Sequence, residues 1–206
     1  LEFRRVLFRS AQLDLKLEKH GFAPAGGGRF VAEIQGNCQL SPIERCEASP
    51  ITQRRATALV ANLPGTIAIR ELSELRKLLG WRNEECLPRV VQDAECPGNL
   101  VLLEVSRGDL REMICVIGER QLSAEEVAGK AANELAAYLQ SGAPIGKYLA
   151  DQLIIPFSLA GGGSFRATAL SQHAKTNIDV VKLFSPTEIE CTPSDDAGVS
   201  IHFGAR

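Results

Sequence analysis

The chain has 206 residues, of which 45% are hydrophobic and 23% are charged, and its formal net charge is -2. This composition is typical of a soluble globular protein with one large or two small domains, and it excludes a broadly basic surface for nucleic acid. A few side chains can still hold a phosphate, so a local basic site stays open. Aromatic residues make up only 5%, which argues against a base-stacking surface. The longest apolar run, Leu153 to Ala160, is too short to span a membrane, so we expect no membrane partner.

The first ten residues are what the codons CTG GAG TTC AGA CGT GTG CTC TTC CGA TCT would encode. That string matches a common short-read sequencing adapter over its whole length. We therefore interpret residues 1–10 as a sequencing-adapter artefact and exclude them from the prediction of the fold. We expect the natural sequence to start at about Ala11, the gene to continue upstream, and this truncated fragment to be poorly active alone.

The first segment of the natural sequence predicts a β-hairpin. Apolar and polar residues alternate over Gln12–Glu18 and again over residues 30–34, which is the period of half-buried strands. The run Gly26-Gly27-Gly28 could cradle a phosphate, but no helix start follows it, so we interpret it as part of the hairpin turn. Residues 37–50 lack periodicity and contain two prolines, which is typical of a linker.

Residues 51–140 predict the element order β-α-β-β-β-α. The expected elements are a strand around Ala56–Val60, a helix over Thr66–Leu79, a strand over Cys86–Asp93, a hairpin of Leu100–Val105 with Met113–Ile117, and a helix that runs to about Leu139. Ile69, Leu72, Leu75, Leu78 and Leu79 would form the apolar face of the first helix. Gly80 should end that helix, and the capping box Ser123-Ala-Glu-Glu126 should start the second. The order is that of a thioredoxin-like unit, but the C-x-x-C redox motif is absent, which favours a scaffold or substrate-side domain.

Residues 142–206 predict two further helices and three strands. The expected elements are a largely apolar, buried helix over Lys147–Ala160, a strand over Phe165–Ala169, a helix over Thr176–Phe184, and strands over Thr187–Cys191 and Val199–Phe203. Pro156 lies inside the first helix, which it could kink. Gly161–Gly163 should end that helix, either as a C-cap and tight turn or as a close approach to a ligand.

The six cysteines contain no C-x-x-C pair, whereas a zinc site usually needs closely paired thiolates. We expect six reduced, mostly structural thiols in a cytoplasmic protein. They are Cys38, Cys46, Cys86, Cys96, Cys115 and Cys191.

Polar groups gather in the stretch from Gly146 to Asn177. His173 follows a predicted strand and precedes a predicted helix, a type of junction where catalytic groups are common. Its imidazole could attack phosphorus, and Lys175 could offset phosphate charge. The alternative is a solvated His173 beside a helix that Ser171 or Thr176 caps.

Two residues of the Lys147–Ala160 helix could serve a nucleotide. Asp151 lies in an apolar helix, so its carboxylate needs a metal, a cation or hydrogen-bond donors. Tyr148 could supply a flat face for a purine, or it could be a core ring with a solvated hydroxyl.

Five segments resemble the RNA 3′-terminal phosphate cyclase family, and the resemblance runs colinearly over nearly all of residues 11–206. They are His20-Gly-Phe-Ala-Pro-Ala-Gly-Gly-Gly28, Pro97-Gly-Asn99, Tyr148-Leu-Ala-Asp-Gln152, Ala160-Gly-Gly-Gly163 and His173-Ala-Lys-Thr-Asn177. The resemblance implies an α+β fold, in which repeated βαβ-type units of the cyclase and enolpyruvyl-transferase-like kind carry an inserted thioredoxin-like βαβββα domain. The implied divisions are 11–40 as the truncated first segment of the large domain, 41–140 as the inserted domain, and 141–206 as the C-terminal segment of the catalytic domain.

The resemblance also implies a ligase that uses ATP and a divalent cation, Mg or Mn, on RNA 3′-phosphate ends. A histidine, matched by His173, takes AMP from ATP and passes it to the RNA 3′-phosphate. The vicinal 2′-hydroxyl then displaces AMP and leaves a 2′,3′-cyclic phosphate. The nucleotide-contact segment is matched by Tyr148, Leu149, Ala150, Asp151 and Gln152. In that match Tyr148 stacks on adenine, and Asp151 lies near the phosphates or the metal.

Two alternatives stay open. One is a non-catalytic relative of the cyclases that acts in RNA binding or ribosome assembly, for which a nucleophile at His173 would be unnecessary. The other is an enolpyruvyl-transferase-like enzyme, which would need neither His173 nor the segment Tyr148–Gln152.

Overall fold

The structure is a computed structural model that describes residues 13–35, 39–194 and 198–204. Residues 1–10, interpreted above as adapter sequence, lie outside the described residues, as does Cys38. The described residues form two compact units. The first unit contains 13–34 and 51–136, and the second contains the remaining described residues. No helix in these ranges is long and apolar enough to cross a membrane.

Ten strands and four α-helices follow one another within the described residues. They are β1 (Leu13–Lys19), β2 (Arg29–Ile34), β3 (Ile43–Arg45), β4 (Gln53–Ala61), α1 (Thr66–Leu79), β5 (Cys86–Val91), β6 (Gly98–Arg107), β7 (Leu110–Ile117), α2 (Ala124–Gln140), α3 (Lys147–Leu159), β8 (Gly163–Ala167), α4 (Gln172–Phe184), β9 (Glu188–Ser194) and β10 (Gly198–Gly204). The chain is therefore a mixed α and β protein. The division at residues 41 and 140 into a large and an inserted domain concerns the whole protein and stays a prediction.

The first unit begins with the predicted hairpin, in which β1 pairs antiparallel with β2. The predicted half-burial of these strands is wrong for β2, since all six of its residues are exposed. Phe30, for example, is 71% exposed. The reason is that neither face of β2 is covered by another layer within the described residues.

The second part of the first unit is a four-stranded sheet of order β5-β4-β6-β7, in which β4 and β5 are parallel and the other neighbours antiparallel. With α1 and α2 this confirms the predicted order β-α-β-β-β-α. One face of the sheet carries the fully buried residues Ala56, Ala58, Val101 and Leu103. Because α1 packs on β4 and β5 and buries Leu72 and Leu75, this face is the core of the unit.

The end of α1 and the start of α2 follow the sequence prediction. Gly80 closes α1 in the left-handed region with φ 64, and its N–H bonds the Arg76 carbonyl. Ser123 and Glu126 form the reciprocal capping box that starts α2. The predicted apolar face of α1 is partly wrong, since Ile69 is 60% and Leu78 52% exposed. The buried stripe is instead Ala68, Glu71, Leu72 and Leu75, and a glutamate in that stripe conceals it in the sequence.

The second unit contains a mixed sheet of order β3-β8-β10-β9. Strand β3 pairs parallel with β8, so three residues of the predicted linker 37–50 belong to a sheet. Phe157 of α3 packs against Phe165 of β8 and Phe203 of β10, with ring centroids 5.0 and 5.2 Å away. These rings form the core between the helices and the sheet.

The elements of the second unit differ from the prediction in three details. Helix α3 is not buried throughout, since Ile155 is 51% and Leu159 72% exposed. Helix α4 begins at Gln172 instead of Thr176, because Ser171 caps it. Strand β8 begins at Gly163, whose φ of 114 only glycine adopts readily. The five described cysteines are free thiols, and three of them, Cys46, Cys115 and Cys191, are exposed.

Candidate functional site

Helices α3 and α4 begin at the same end of the sheet in the second unit. Two residues before α3, Ile145 forms a parallel bridge with Ala167, the last residue of β8. The Thr168 N–H donates to the Ile145 carbonyl at 2.9 Å. Since α4 starts a few residues after β8, both helix N-termini, with their partial positive charge, lie beside the carboxyl end of β8.

A hydrogen bond joins the two helices one turn further along. Asn177 Nδ2 of α4 donates to Asp151 Oδ1 of α3 at 2.6 Å, and Asp151 is half-buried. The sequence predicted that this carboxylate needs a partner, and the amide supplies it. One carboxylate oxygen accepts this bond, which leaves Oδ2 of Asp151 as an acceptor for a ligand.

Tyr148 occupies the first turn of α3 with 49% of its surface exposed. The Lys147 ammonium lies 4.6 Å from the centroid of its ring, within the range of a cation–π contact. The ring is therefore neither a core ring nor fully solvated. Its exposed surface could stack on a planar base, and the neighbouring ammonium adds positive charge there.

No side chain caps the first turn of α3, because its N-cap residue is Gly146. By contrast, Ser171 Oγ caps α4 and accepts the Ala174 N–H at 3.0 Å. The positive end of a helix dipole favours an anion such as a phosphate.

His173 lies in the first turn of α4 and is exposed. It was predicted at a junction before the helix, and it lies inside the helix because the capping residue Ser171 comes earlier. His173 and Asn177 are four residues apart, so they share one face of α4. The same face of α4 is joined to Asp151 by the Asn177 hydrogen bond. Lys175 is exposed on the same helix.

The five residues of the predicted nucleotide segment do not share one surface. Tyr148, Asp151 and Gln152 are spaced i, i+3 and i+4, which places them on one side of α3. Leu149 is half-buried, whereas Ala150 is fully buried and its N–H bonds the Gly146 carbonyl at 2.9 Å. This placement favours a packing role for Ala150.

The glycine run Gly161–Gly163 lies at the opposite end of α3 from Tyr148. A helix of 13 residues is about 20 Å long, so the run is far from the helix starts. Gly161 has φ 72 directly after the helix, which is the C-cap and tight turn that the sequence left as one alternative.

The described residues contain no cluster of three or more His, Cys, Asp or Glu side chains that could hold a metal ion alone. A magnesium ion does not need one, because one or two carboxylates together with substrate phosphates usually hold it. Asp151 fits that kind of site, since one of its oxygens accepts the Asn177 bond and the other remains. The prediction that Asp151 serves a metal stays a prediction.

Sequence reasoning gave Asn177 and Lys147 no role of their own in the candidate site. Asn177 holds Asp151, and Lys147 lies over Tyr148. The one sequence signal for Asn177 is its spacing of four residues from His173, which places both on one face of a helix if the helix begins before His173. No pattern in the sequence shows that α4 would bring it to Asp151.

Comparison with known proteins gives one family. A family profile described as RNA 3′-terminal phosphate cyclase matches residues 3–191. An RNA 3′-terminal phosphate cyclase of Ectopseudomonas mendocina is 41% identical over 187 residues, which is 90% of this chain and 54% of that protein. The protein of the same name in Pseudomonas fluorescens is 40% identical over 88% of this chain and 53% of its own length. That of Koribacter versatilis is 38% identical over 90% of this chain and 52% of its own length. The chain thus spans about half the length of these curated relatives.

Proposed function

Because the chain belongs to the RNA 3′-terminal phosphate cyclase family, we propose that its second unit carries the nucleotidyl-transfer half of such an enzyme. The reaction is the ATP-dependent conversion of an RNA 3′-terminal phosphate into a 2′,3′-cyclic phosphate. One observation supports this best. The Asn177–Asp151 hydrogen bond ties the helix of the proposed nucleophile to the helix of the proposed nucleotide contacts.

The proposed reaction has three displacements at phosphorus. A ring nitrogen of His173 attacks the α-phosphorus of ATP, so that a P–N bond forms and pyrophosphate leaves. An oxygen of the RNA 3′-phosphate then attacks the same phosphorus, which breaks the P–N bond and frees the imidazole. Finally, the vicinal 2′-hydroxyl attacks the RNA phosphorus, loses its proton and expels AMP.

The positions of the side chains support these roles. His173 is exposed, so a phosphate can reach its ring. The exposed ring of Tyr148 can stack on adenine, and the positive N-terminal end of the α3 dipole lies beside it and favours a phosphate. Gln152 is exposed on the same side of α3 and can donate to the nucleotide. Asp151 would hold a divalent cation, which would offset phosphate charge when bound.

Labelled ATP tests this proposal directly. The complete coding sequence that contains the chain is expressed and incubated with ATP labelled at the α-phosphorus, magnesium and no RNA. We expect label on the protein that is stable to base and labile to acid, as a phosphoramidate is, and we expect none on the His173→Ala variant. His202→Ala is the matched control, because His202 is an exposed histidine on β10 of the same unit. If label persists on His173→Ala, the nucleophile is another residue. If the wild type takes no label, the non-catalytic alternative replaces the enzyme.

A further inference from the structure

The sheet of the first unit has a second face, opposite the buried one, which is polar at one end. The strand register places Gln53 opposite Ser106, and Arg55 opposite Glu104. It also places Ser106 opposite Arg111. Three neighbouring strands thus bring five polar side chains together near the β6–β7 turn. With Arg54 they line a shallow groove.

The charges in this groove do not balance. Glu104 is the one acid among the lining residues, and it pairs with Arg111 at 3.6 Å. Arg54 is already engaged, since its Nε donates to Glu85 at 2.8 Å and its guanidinium lies 5.6 Å from the Trp81 ring centroid. Arg55 is exposed and has no hydrogen-bond or ion-pair partner among the described residues. The groove is therefore locally positive in a chain whose formal net charge is -2.

The donors of the groove suit phosphates more than bases. A guanidinium binds phosphate oxygens through two parallel N–H bonds, and the Gln53 amide and Ser106 hydroxyl are donors that commonly contact phosphate or sugar. Arg55 and Arg111 extend from strands β4 and β7, which are two strand spacings or about 10 Å apart, with β6 between them. Two arginines on different strands, with the neutral donors of Gln53 and Ser106 beside them, form an extended surface that suits a chain of phosphates. None of the lining residues is aromatic, so the groove offers no ring for base stacking.

We propose that this groove binds the phosphodiester backbone of single-stranded RNA, without preference for base sequence. We assign a phosphate polymer as the ligand because the groove has guanidinium groups on different strands, neutral donors beside them, and no aromatic ring among its lining residues. The choice of RNA as that polymer rests on the function proposed above. The groove lies wholly within the first unit, so the inference needs no residue of the candidate nucleotide site.

Fluorescence anisotropy of a labelled twelve-nucleotide oligouridylate tests the groove. The oligonucleotide ends in a 3′-hydroxyl and ATP is left out, so binding does not depend on nucleotidyl transfer. The full chain is titrated at several KCl concentrations, together with the variants Arg55→Gln, Arg111→Gln and the double variant. Arg120→Gln is the matched control, because Arg120 is an exposed arginine of the same unit outside the groove.

We expect each groove variant to weaken binding about threefold to tenfold, and to reduce the slope of log affinity against log salt by about 0.7, which is one phosphate contact to a single strand. The double variant should lose at least about 10-fold, and Arg120→Gln should stay within about twofold. Glu104→Gln should bind more tightly than wild type, because it removes the competing carboxylate. This gain cannot come from damage to the fold.

Four results would overturn the proposal. They are no binding by the wild type, an equal loss in Arg120→Gln and the groove variants, no gain in Glu104→Gln, and competition by poly-glutamate as strong as by unlabelled RNA. The last result would assign the groove to an acidic protein partner. His173→Ala should bind the RNA like wild type, so a failure of the proposed enzyme chemistry and a failure of the groove give different results.

Discussion

The two units each contain a carboxylate that accepts a hydrogen bond from an asparagine, but the surroundings of the two pairs differ. In the second unit, Asn177 donates to the half-buried Asp151 at 2.6 Å, beside two helix starts. In the first unit, Asn99 donates to Glu71 at 2.7 Å, and Glu71 is fully buried. The same chemical pair therefore occurs at a half-buried junction of two helices in one unit and in a sealed core in the other.

Burial changes the protonation of the core pair. Desolvation raises the pKa of Glu71 to about 7, while the Asn99 hydrogen bond and Arg70 lower it in part and Glu125 raises it slightly further. Glu71 Oε2 and Asn99 Oδ1 have no hydrogen-bond partner within the described residues. A proton on Oε2, donated to Asn99 Oδ1, would satisfy both atoms at once and close a cyclic acid–amide pair. We infer that Glu71 is a structural acid that folds best in its neutral form.

The largest effect is expected from removal of the core acid. Glu71→Ala leaves the buried Asn99 amide without its partner and opens a cavity, so we expect a loss of about 4 kcal/mol in the free energy of unfolding. Trp81 is the only tryptophan of the chain and lies in the first unit with 6% exposure, so its fluorescence in urea reports on this unit. Glu74→Ala on the same helix is the control, since its salt bridge to Lys77 is at the surface, and it should change stability by less than about 1 kcal/mol. Equal losses in both variants would contradict a special role of Glu71.

The second-largest expected effect is a decrease in the stability of the first unit as the pH rises. The pKa of Glu71 is about 7 in the folded chain and near 4.5 ordinarily, so its stabilising contribution is complete below pH 4.5 and is lost as the pH rises through 7. The loss across this window is on the order of 3 kcal/mol. The nearby charged groups are Arg70 on α1 and Glu125 on α2, which pair with each other at 2.6 Å.

Glu71→Gln separates this contribution from those of other titrating groups. The glutamine amide can donate to Asn99 Oδ1 and accept from Nδ2 at every pH, so the variant should keep its stability where the wild type loses it. The measurement is the urea midpoint of Trp81 fluorescence between pH 5 and 8.5. Parallel pH profiles of the wild type and Glu71→Gln would show that Glu71 does not titrate in this range.

The sequence predicts the parts of the fold that depend on local signals and misses those that depend on contacts between distant residues. In the first unit, the order of strands and helices, the Gly80 stop and the capping box are local signals, and the structure confirms them. The core-facing stripe of α1 was misjudged because Glu71 is polar. A neutral acid in a core cannot be recognised until its partner Asn99, 28 residues away, is known to lie beside it. Strand β3 has three residues and is held by its pairing with β8, so it has no local pattern to detect.

The candidate site was predicted in its residue types but not in its geometry. Tyr148, Asp151 and His173 were chosen from the sequence and from a family resemblance, and the structure brings their two helices together. The start of α4 was misjudged because Ser171 was weighed as only one of two possible caps, and the earlier start moves His173 into the first turn. The part played by Asn177 depends on the packing of two helices, which local patterns do not contain.

The smallest effect is expected from loss of the Asn177–Asp151 bond, which joins the two helices of the proposed site. Asn177→Ala frees Asp151 to leave its position, and we expect the adenylation of the complete protein to fall about 10-fold in kcat/KM for ATP. The stability of the second unit should change little, because Asp151 is only half-buried and water can replace the lost donor. Asp179→Ala is the control, since Asp179 is exposed on the same helix. If Asn177→Ala lowered stability and left kcat/KM unchanged, the Asn177–Asp151 bond would be structural like the Glu71–Asn99 pair. The difference between the two units would then lie in burial alone.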